Sequence, residues 1–392
     1  MLKVPRTEID ERIGRLQGRL AVDGLDGALL HGVTNLFYCS GTAQQAHLWV
    51  PSAGPPVLLV RRVLERARNE SPLDQVEALS SLRDLPDRLA GARRIGMELD
   101  ILPVSLFERY RRVLGDEVEI VDVGPALREL RAVKSPWDVA RIRSSAGSAD
   151  AVLEEVREAL VEGMTELELS IVAEAAERRH GFQGMLRWHA AVGFECPWVH
   201  VLAGDSAGVA SFSDTPFGGR GLTPAAPYGA SHRPIGRGEP VCLDFALARD
   251  GWIHDMTRTL VIGRLEPELA IGYRVCLEVL RQLEEAARPG TTGDELWRHA
   301  LGVVEDAGLA DQFMGPGADR VRFVGHGVGL ELDELPVLAP RQSMPLAPGH
   351  VIAIEPKLFY PGRGAVGVEN TYLVTDHGLE RLTVSDDEVV SV

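Results

Sequence analysis

The 392-residue sequence has no apolar run near the roughly 18 residues that a membrane span requires. Its start, Met1-Leu2-Lys3-Val4-Pro5-Arg6, also lacks the apolar stretch of a secretory signal, so a cytoplasmic chain is expected. Cations are in deficit: 41 Lys and Arg stand against 57 Asp and Glu, giving a formal charge of −16 and a pI near 5.2. Phosphate backbones are held by clustered Lys and Arg, which this balance disfavours, so no nucleic-acid partner is expected. The four cysteines, Cys39, Cys196, Cys242 and Cys276, lie far apart and form no CxxC pair. That excludes a disulfide framework and a cysteine zinc site and leaves buried free thiols. No glycine fingerprint follows an early strand, which removes a nicotinamide-dependent enzyme, and no fixed-period repeat suggests a solenoid.

What is present is an ordinary globular composition, 45% hydrophobic and 25% charged, on a chain longer than one core usually fills. Ile9, Ile13, Leu16 and Leu20 recur at helical spacing and stop at Gly24. Short apolar runs follow at Gly27–Leu30, Val57–Val60, Ile95–Leu99 and Val118–Val123, separated by helix-like stretches such as Leu82–Leu89. This alternation predicts an α/β N-terminal domain. At Lys134-Ser135-Pro136-Trp137 a helix begins, with Ser135 as N-cap and Pro136 where its missing N–H is not needed. The boundary is therefore set just before it, giving domains 1–132 and 133–392. Two further capping boxes, Thr165-x-x-Glu168 and Thr292-x-x-Glu295, alternate with β-rich segments, so the second domain reads as α+β.

The chemistry concentrates in that second domain. Val241–Phe245 and Ile253–Ile262 read as two strands of a hairpin around Arg249-Asp250-Gly251. With Arg249-Asp250 as the loop, Asp244 and Asp255 lie directly opposite each other. Val351–Glu355 and Gly367–Val374 form a second pair of strands around Pro361-Gly362-Arg363-Gly364, and Glu355 and Glu369 are equidistant from Gly362. Opposed like charges about 4 Å apart repel by about 4 kcal/mol at an effective dielectric near 20. Two such pairs call for cations, and two divalent ions would neutralise them. A fifth donor is His326 in Gly325-His326-Gly327-Val328-Gly329, where glycines let backbone crowd an imidazole. Carboxylates with one imidazole suit Mn, Co, Fe or Zn, and ligand type does not choose among them. The glycine pattern lacks the Lys-Ser/Thr ending of a phosphate loop.

These residues resemble the pita-bread metallopeptidase family, which includes prolidase, aminopeptidase P, methionine aminopeptidase, creatinase and ectoine hydrolase. The resemblance is carried by Asp244, by His254-Asp255-Met256-Thr257-Arg258-Thr259, by the GHGVGL run around His326, by Ile354-Glu355-Pro356 and by Gly367-Val368-Glu369-Asn370. Asp26–Leu30 and Asn35–Tyr38 resemble the creatinase-like N-terminal domain. The implied fold is thus an α/β creatinase-like domain followed by an α+β pita-bread catalytic domain, with spacings most like the Xaa-Pro peptidase branch. The resemblance implies that Asp255, His326 and Glu355 hold one metal, that Asp244 holds another, and that Asp255 and Glu369 bridge them. It further implies that Glu355 moves the proton of a metal-activated water. A homodimer is the usual state of such relatives.

Two positions depart from the family. Seven residues after the metal histidine, where its peptidases carry another His, stands Asp333. Six residues before Arg233, again a usual His position, stands Pro227, within a Gly- and Pro-rich stretch from Gly218 to Gly229. Of the three histidines available to compensate, His200 is preferred over His232 and over His254, which should point away from Asp255. Arg258 either reaches the metal carboxylates or makes an ordinary structural ion pair. The leading expectation is an Xaa-Pro peptidase acting on short peptides. The alternatives are a hydrolase of a small non-peptide C–N bond, like ectoine hydrolase or creatinase, and a catalytically silent pita-bread binding protein.

Overall fold

The computed structural model describes residues 2–89, 91–189 and 199–392. The contacts divide it into two compact units, residues 2–131 with His189, and residues 132–188 with 199–392. Cys196 lies outside the described residues, as do Pro197 and Trp198. Cys39, Cys242 and Cys276 are buried free thiols. No described helix is long and apolar enough to cross a membrane.

The first unit opens with the helix Arg6–Val22, whose buried stripe includes Ile9, Ile13, Leu16 and Leu20. A six-stranded sheet follows in the order Val76–Ala78, Val57–Val60, Ala46–Pro51, Gly27–Leu30, Arg94–Met97 and Glu119–Asp122. Leu29, Trp49, Leu59, Ile95 and Met97 from its strands pack with Leu82, Leu85, Leu89 and Tyr110. Two strands escaped the sequence reading, Ala46–Pro51 and Val76–Ala78. His47 and Pro51 interrupt the first, and three residues are too few for a pattern in the second. Asn35–Tyr38 lies on the short helix Val33–Ser40.

In the second unit, the predicted N-caps form. Ser135 Oγ accepts from Asp138 N at 3.2 Å while the Asp138 carboxylate takes Ser135 N at 3.1 Å, opening the helix Pro136–Ala159. Thr165 and Thr292 cap Glu166–Arg179 and Gly293–Asp306 in the same reciprocal way. The helices Pro267–Ala286 and Gly293–Asp306 bury Leu280, Leu283, Leu296 and Val304 in one core with Ile352, Ile354, Leu358, Val366 and Val368. That core backs the strands that carry the predicted site.

These strands belong to three small sheets. One runs Val390–Ser391, Trp252–Val261, Pro240–Arg249, Val199–Ala203. Another runs Gly325–Gly327, Val351–Ile354, Asn370–Thr375, Gly378–Arg381, and the third is the hairpin Lys357–Tyr360 with Gly364–Gly367. An isolated antiparallel bridge between Thr257 and Glu369, with Glu369 N donating to Thr257 O at 3.1 Å, ties the first of these to the chain between the other two.

Candidate metal centre

The hairpin register differs from the one expected. Arg249 pairs with Trp252, so the two-residue loop is Asp250-Gly251, and Asp244 lies opposite Thr257 while Asp255 lies opposite Ala246. The physical reason is the turn: Asp250 has φ 53° and Gly251 φ 96°, the two positive angles that a tight hairpin turn needs and that Asp-Gly supplies. Asp244 and Asp255 are diagonal neighbours rather than directly opposed, yet they still share a face because the slip is two residues. The second pair keeps its expected register. Lys357 through Tyr360 pair with Gly367 through Gly364, and Val351 through Ile354 with Leu373 through Asn370, both centred on Gly362, which sets Glu355 against Glu369.

The five predicted residues therefore meet. Asp244, Asp255, His326, Glu355 and Glu369 line one cleft, together with His200 and Asp333. Ligand atoms of Asp255, His326 and Glu369 all lie within 4.8 Å of one another. His326 Nε2 is 3.4 Å from Glu355 Oε1 and 3.7 Å from Asp255 Oδ2. On the other side of the ring, Nδ1 lies 3.1 Å from both Gly327 O and Leu332 O. Carbonyls can only accept, so they hold the proton on Nδ1 and turn the Nε2 lone pair toward the carboxylates, the tautomer a metal ligand needs. The flanking glycines are required for this crowding: a Cβ at Gly325 would meet Ala353 O at 2.2 Å, and one at Gly327 would meet Leu335 O at 2.2 Å.

Electrostatics ask for a cation. Burial first, and then the Glu369, Asp244 and Glu355 carboxylates, push Asp255 well above the usual carboxylate range. Burial also pushes Glu355 up to about 7, against the lowering effect of Lys357. His326 is raised because the Asp333, Glu355 and Glu369 carboxylates outweigh its burial. Glu369 Oε1 is buried with no hydrogen-bond partner among the described residues. A buried carboxylate oxygen without a donor is costly unless a cation supplies the missing charge. The donor set thus fits a divalent metal ion.

The remaining predicted residues fall as follows. His200 sits opposite Asp244 on the neighbouring strand and is buried, and its pKa is pushed down to about 4 by burial and then by Lys357. It is a neutral imidazole at pH 7. Asp333 is exposed, with Oδ1 3.4 Å from His326 Nδ1. His254 turns the other way, with Nε2 3.0 Å from Thr383 Oγ1, and His232 is exposed. Pro227 is not among the residues lining the cleft. Arg258 does not reach the carboxylate groups of the centre. It donates to the backbone oxygens of Thr257, Glu369, Ser385 and Asp386 and to Asn370 Oδ1, so it fixes the backbone that carries Glu369.

Two residues were missed. Thr257 Oγ1 lies 2.9 Å from Asp244 Oδ1 and 2.6 Å from Glu369 Oε2, linking two of the carboxylates. Lys357, fully buried, brings its ammonium to Glu355 Oε2, to Glu369 Oε2 at 3.2 Å and to Asp244 Oδ2 at 3.9 Å. Its position was a usable signal, since a residue two places after Glu355 on an extended chain returns to the same face.

Comparison with known proteins agrees with this geometry. The model of metallopeptidase family M24 matches residues 140–376, more than half of the chain. The chain belongs to this family. It is a metal-dependent hydrolase, and the creatinase/prolidase N-terminal domain model matches residues 12–133. An Xaa-Pro dipeptidase of Pyrococcus horikoshii is 26% identical over 385 residues, covering 97% of this chain and 99% of that protein. One from Pyrococcus furiosus is 27% identical over 383 residues with the same coverage. The fold matches the solved structures of the prolidase from Pyrococcus horikoshii, with a TM-score of 0.82, 24% identity and coverage of 97% and 100% of the two chains. It also matches an Xaa-Pro dipeptidase from Bacillus anthracis, at 0.84, 23%, and 98% and 100%.

Proposed function

We propose that the protein is an Xaa-Pro peptidase that hydrolyses the amide bond of short peptides at a centre held by Asp244, Asp255, His326, Glu355 and Glu369. The observation that carries this reading is the convergence of those five side chains with His200 and Asp333 on one cleft, which is partly open to solvent. The full-length likeness to two Xaa-Pro dipeptidases supports the substrate class.

A divalent ion bound there supplies Lewis acidity toward the amide carbonyl and an acidified water. Glu355 is the residue to move a proton, since it lies in the cleft with the other carboxylates and burial raises its carboxyl to about 7 in the metal-free centre. His200 is a neutral imidazole, whose one ring N–H can donate a hydrogen bond to an oxyanion. Trp188, Phe217 and Phe323 line the cleft as apolar walls, suited to a pyrrolidine ring.

The test is an assay of purified, Mn-loaded protein against Xaa-Pro dipeptides, other dipeptides and cyclic amidines. Selective cleavage of Xaa-Pro is expected, and His200→Ala should lower kcat by roughly 10²–10³-fold, as loss of an oxyanion donor does. Turnover of the amidines with none of the dipeptides would replace this reading with that of a small C–N hydrolase.

A further inference from the structure

The carboxylate oxygens of the centre divide into two groups. Glu355 Oε1 and Asp255 Oδ2 face His326 Nε2, and Glu369 Oε1 has no hydrogen-bond partner among the described residues. Glu355 Oε2, Glu369 Oε2 and Asp244 Oδ2 face Lys357 Nζ. Glu355 is therefore split, one oxygen to each side, and Glu369 gives one oxygen to Lys357 while the other lacks a donor among the described residues.

The second group surrounds a built ammonium seat. Lys357 lies opposite Gly367, and a Cβ there would come within 2.5 Å of Lys357 Cγ, so the glycine makes the passage for the lysine stem. The Phe217 ring stands 5.2 Å from Nζ and offers its face to the charge. The side chain is fully buried, and three carboxylate groups surround its head. An ammonium cannot serve as a ligand, because it has donors only.

We propose that the Lys357 ammonium fills one of the two cation seats of this centre, so that the protein holds a single divalent ion, on His326, Asp255, Glu355 and Glu369. The inference rests on the reading of these residues as a metal centre and departs from the two ions that four carboxylates alone imply. Lys357 replaces the charge of a second ion but not its Lewis acidity. It also holds Asp244 and one oxygen of each glutamate, which keeps them from a second metal.

The test is a count of metal. Metal-stripped protein is titrated with Mn²⁺ by calorimetry, the bound ion is counted by elemental analysis, and the electron paramagnetic resonance spectrum reports whether ions are paired, as they are in two-metal sites roughly 3.5–4 Å apart. Wild type should hold one ion per chain with the spectrum of an isolated Mn²⁺. Lys357→Ala, which removes the ammonium and opens its seat, should hold two and show the coupled spectrum. Two coupled ions in wild type would overturn the proposal and leave the peptidase reading standing. No ion in wild type would overturn the metal centre and this inference with it. A folded Lys357→Ala that still takes one ion would also refute it, and if that variant does not fold the wild-type count decides.

Discussion

Arg258→Lys isolates the role of a guanidinium whose five N–H donors are all used. Nε donates to Asp386 O at 2.7 Å, Nη1 to Thr257 O and Glu369 O at 2.8 Å each, and Nη2 to Asn370 Oδ1 at 2.8 Å and Ser385 O at 3.0 Å. The side chain is fully buried, so water cannot take over. Lysine keeps the charge but carries three donors on a shorter stem, so at least two of the five hydrogen bonds are lost, although Thr257 O still accepts from Glu369 N, and Asn370 Oδ1 and Ser385 O from Arg381 Nη2. Each lost hydrogen bond to a charged donor is worth about 1.5–3 kcal/mol, so the variant should lose about 3–6 kcal/mol, a large share of the 5–15 kcal/mol typical of a folded domain. The measurement is urea unfolding of both proteins in the presence of a chelator, so that bound metal does not mask the difference. Hydrogen exchange at the Glu369 amide, which donates to Thr257 O, should accelerate in step. If Arg258→Lys unfolds within about 0.5 kcal/mol of wild type, the range of an ordinary surface change, then the fork does not hold the Glu369 backbone and the argument fails.

Lys134 and Glu334 form a buried pair at 2.9 Å, and Glu334 Oε1 also accepts from Leu330 N and Glu331 N at 3.2 Å, bracing the loop after His326. Lys134→Met should cost about 3–5 kcal/mol by leaving that carboxylate without its cation, whereas adding Glu334→Gln should recover part of the loss; equal instability of the single and double variants in urea would refute the pairing argument. His350 is buried and accepts from Ala347 N at 3.2 Å, and burial followed by Lys134 pushes its pKa down to about 4. Between the unfolded value near 6.5 and about 4, the unfolded chain holds the extra proton, so stability falls as pH falls, by roughly 3 kcal/mol in all. His350→Gln should flatten the measured pH dependence by that one proton, and an unchanged slope would mean that His350 titrates normally.

How far the site was legible can be read from single residues. Ser135, Thr165 and Thr292 were legible as caps because their hydrogen bonds close within three residues and need nothing from the rest of the fold. The Glu355–Glu369 register was legible for a related reason, since the glycine-containing turn centred on Gly362 lies midway between them. Asp244 and Asp255 were placed on the right face with the wrong partners. A two-residue shift of register is invisible to hydrophobic alternation, and what decides it is that Asp250 and Gly251, rather than Arg249 and Asp250, accept positive φ. Lys357 and Thr257 escaped because neither has a pattern of its own. Each matters only through oxygens contributed from strands distant in the sequence.

That difference bears on metal count. Counting carboxylates treats each as one negative charge to be neutralised, and four of them imply two divalent ions. A carboxylate, however, has two oxygens that can be engaged separately, and Glu355 and Glu369 each present one to Lys357, while the other oxygen of Glu355 faces His326 and that of Glu369 has no donor among the described residues. The four carboxylates of the centre, three of which face the ammonium, keep three negative charges beside it, one more than a divalent ion neutralises. Burial raises Glu355 to about 7 in the metal-free centre, with Glu369 adding to the rise and Lys357 opposing it. The same lysine that displaces a second ion thus leaves a charge excess that suits Glu355 to proton transfer.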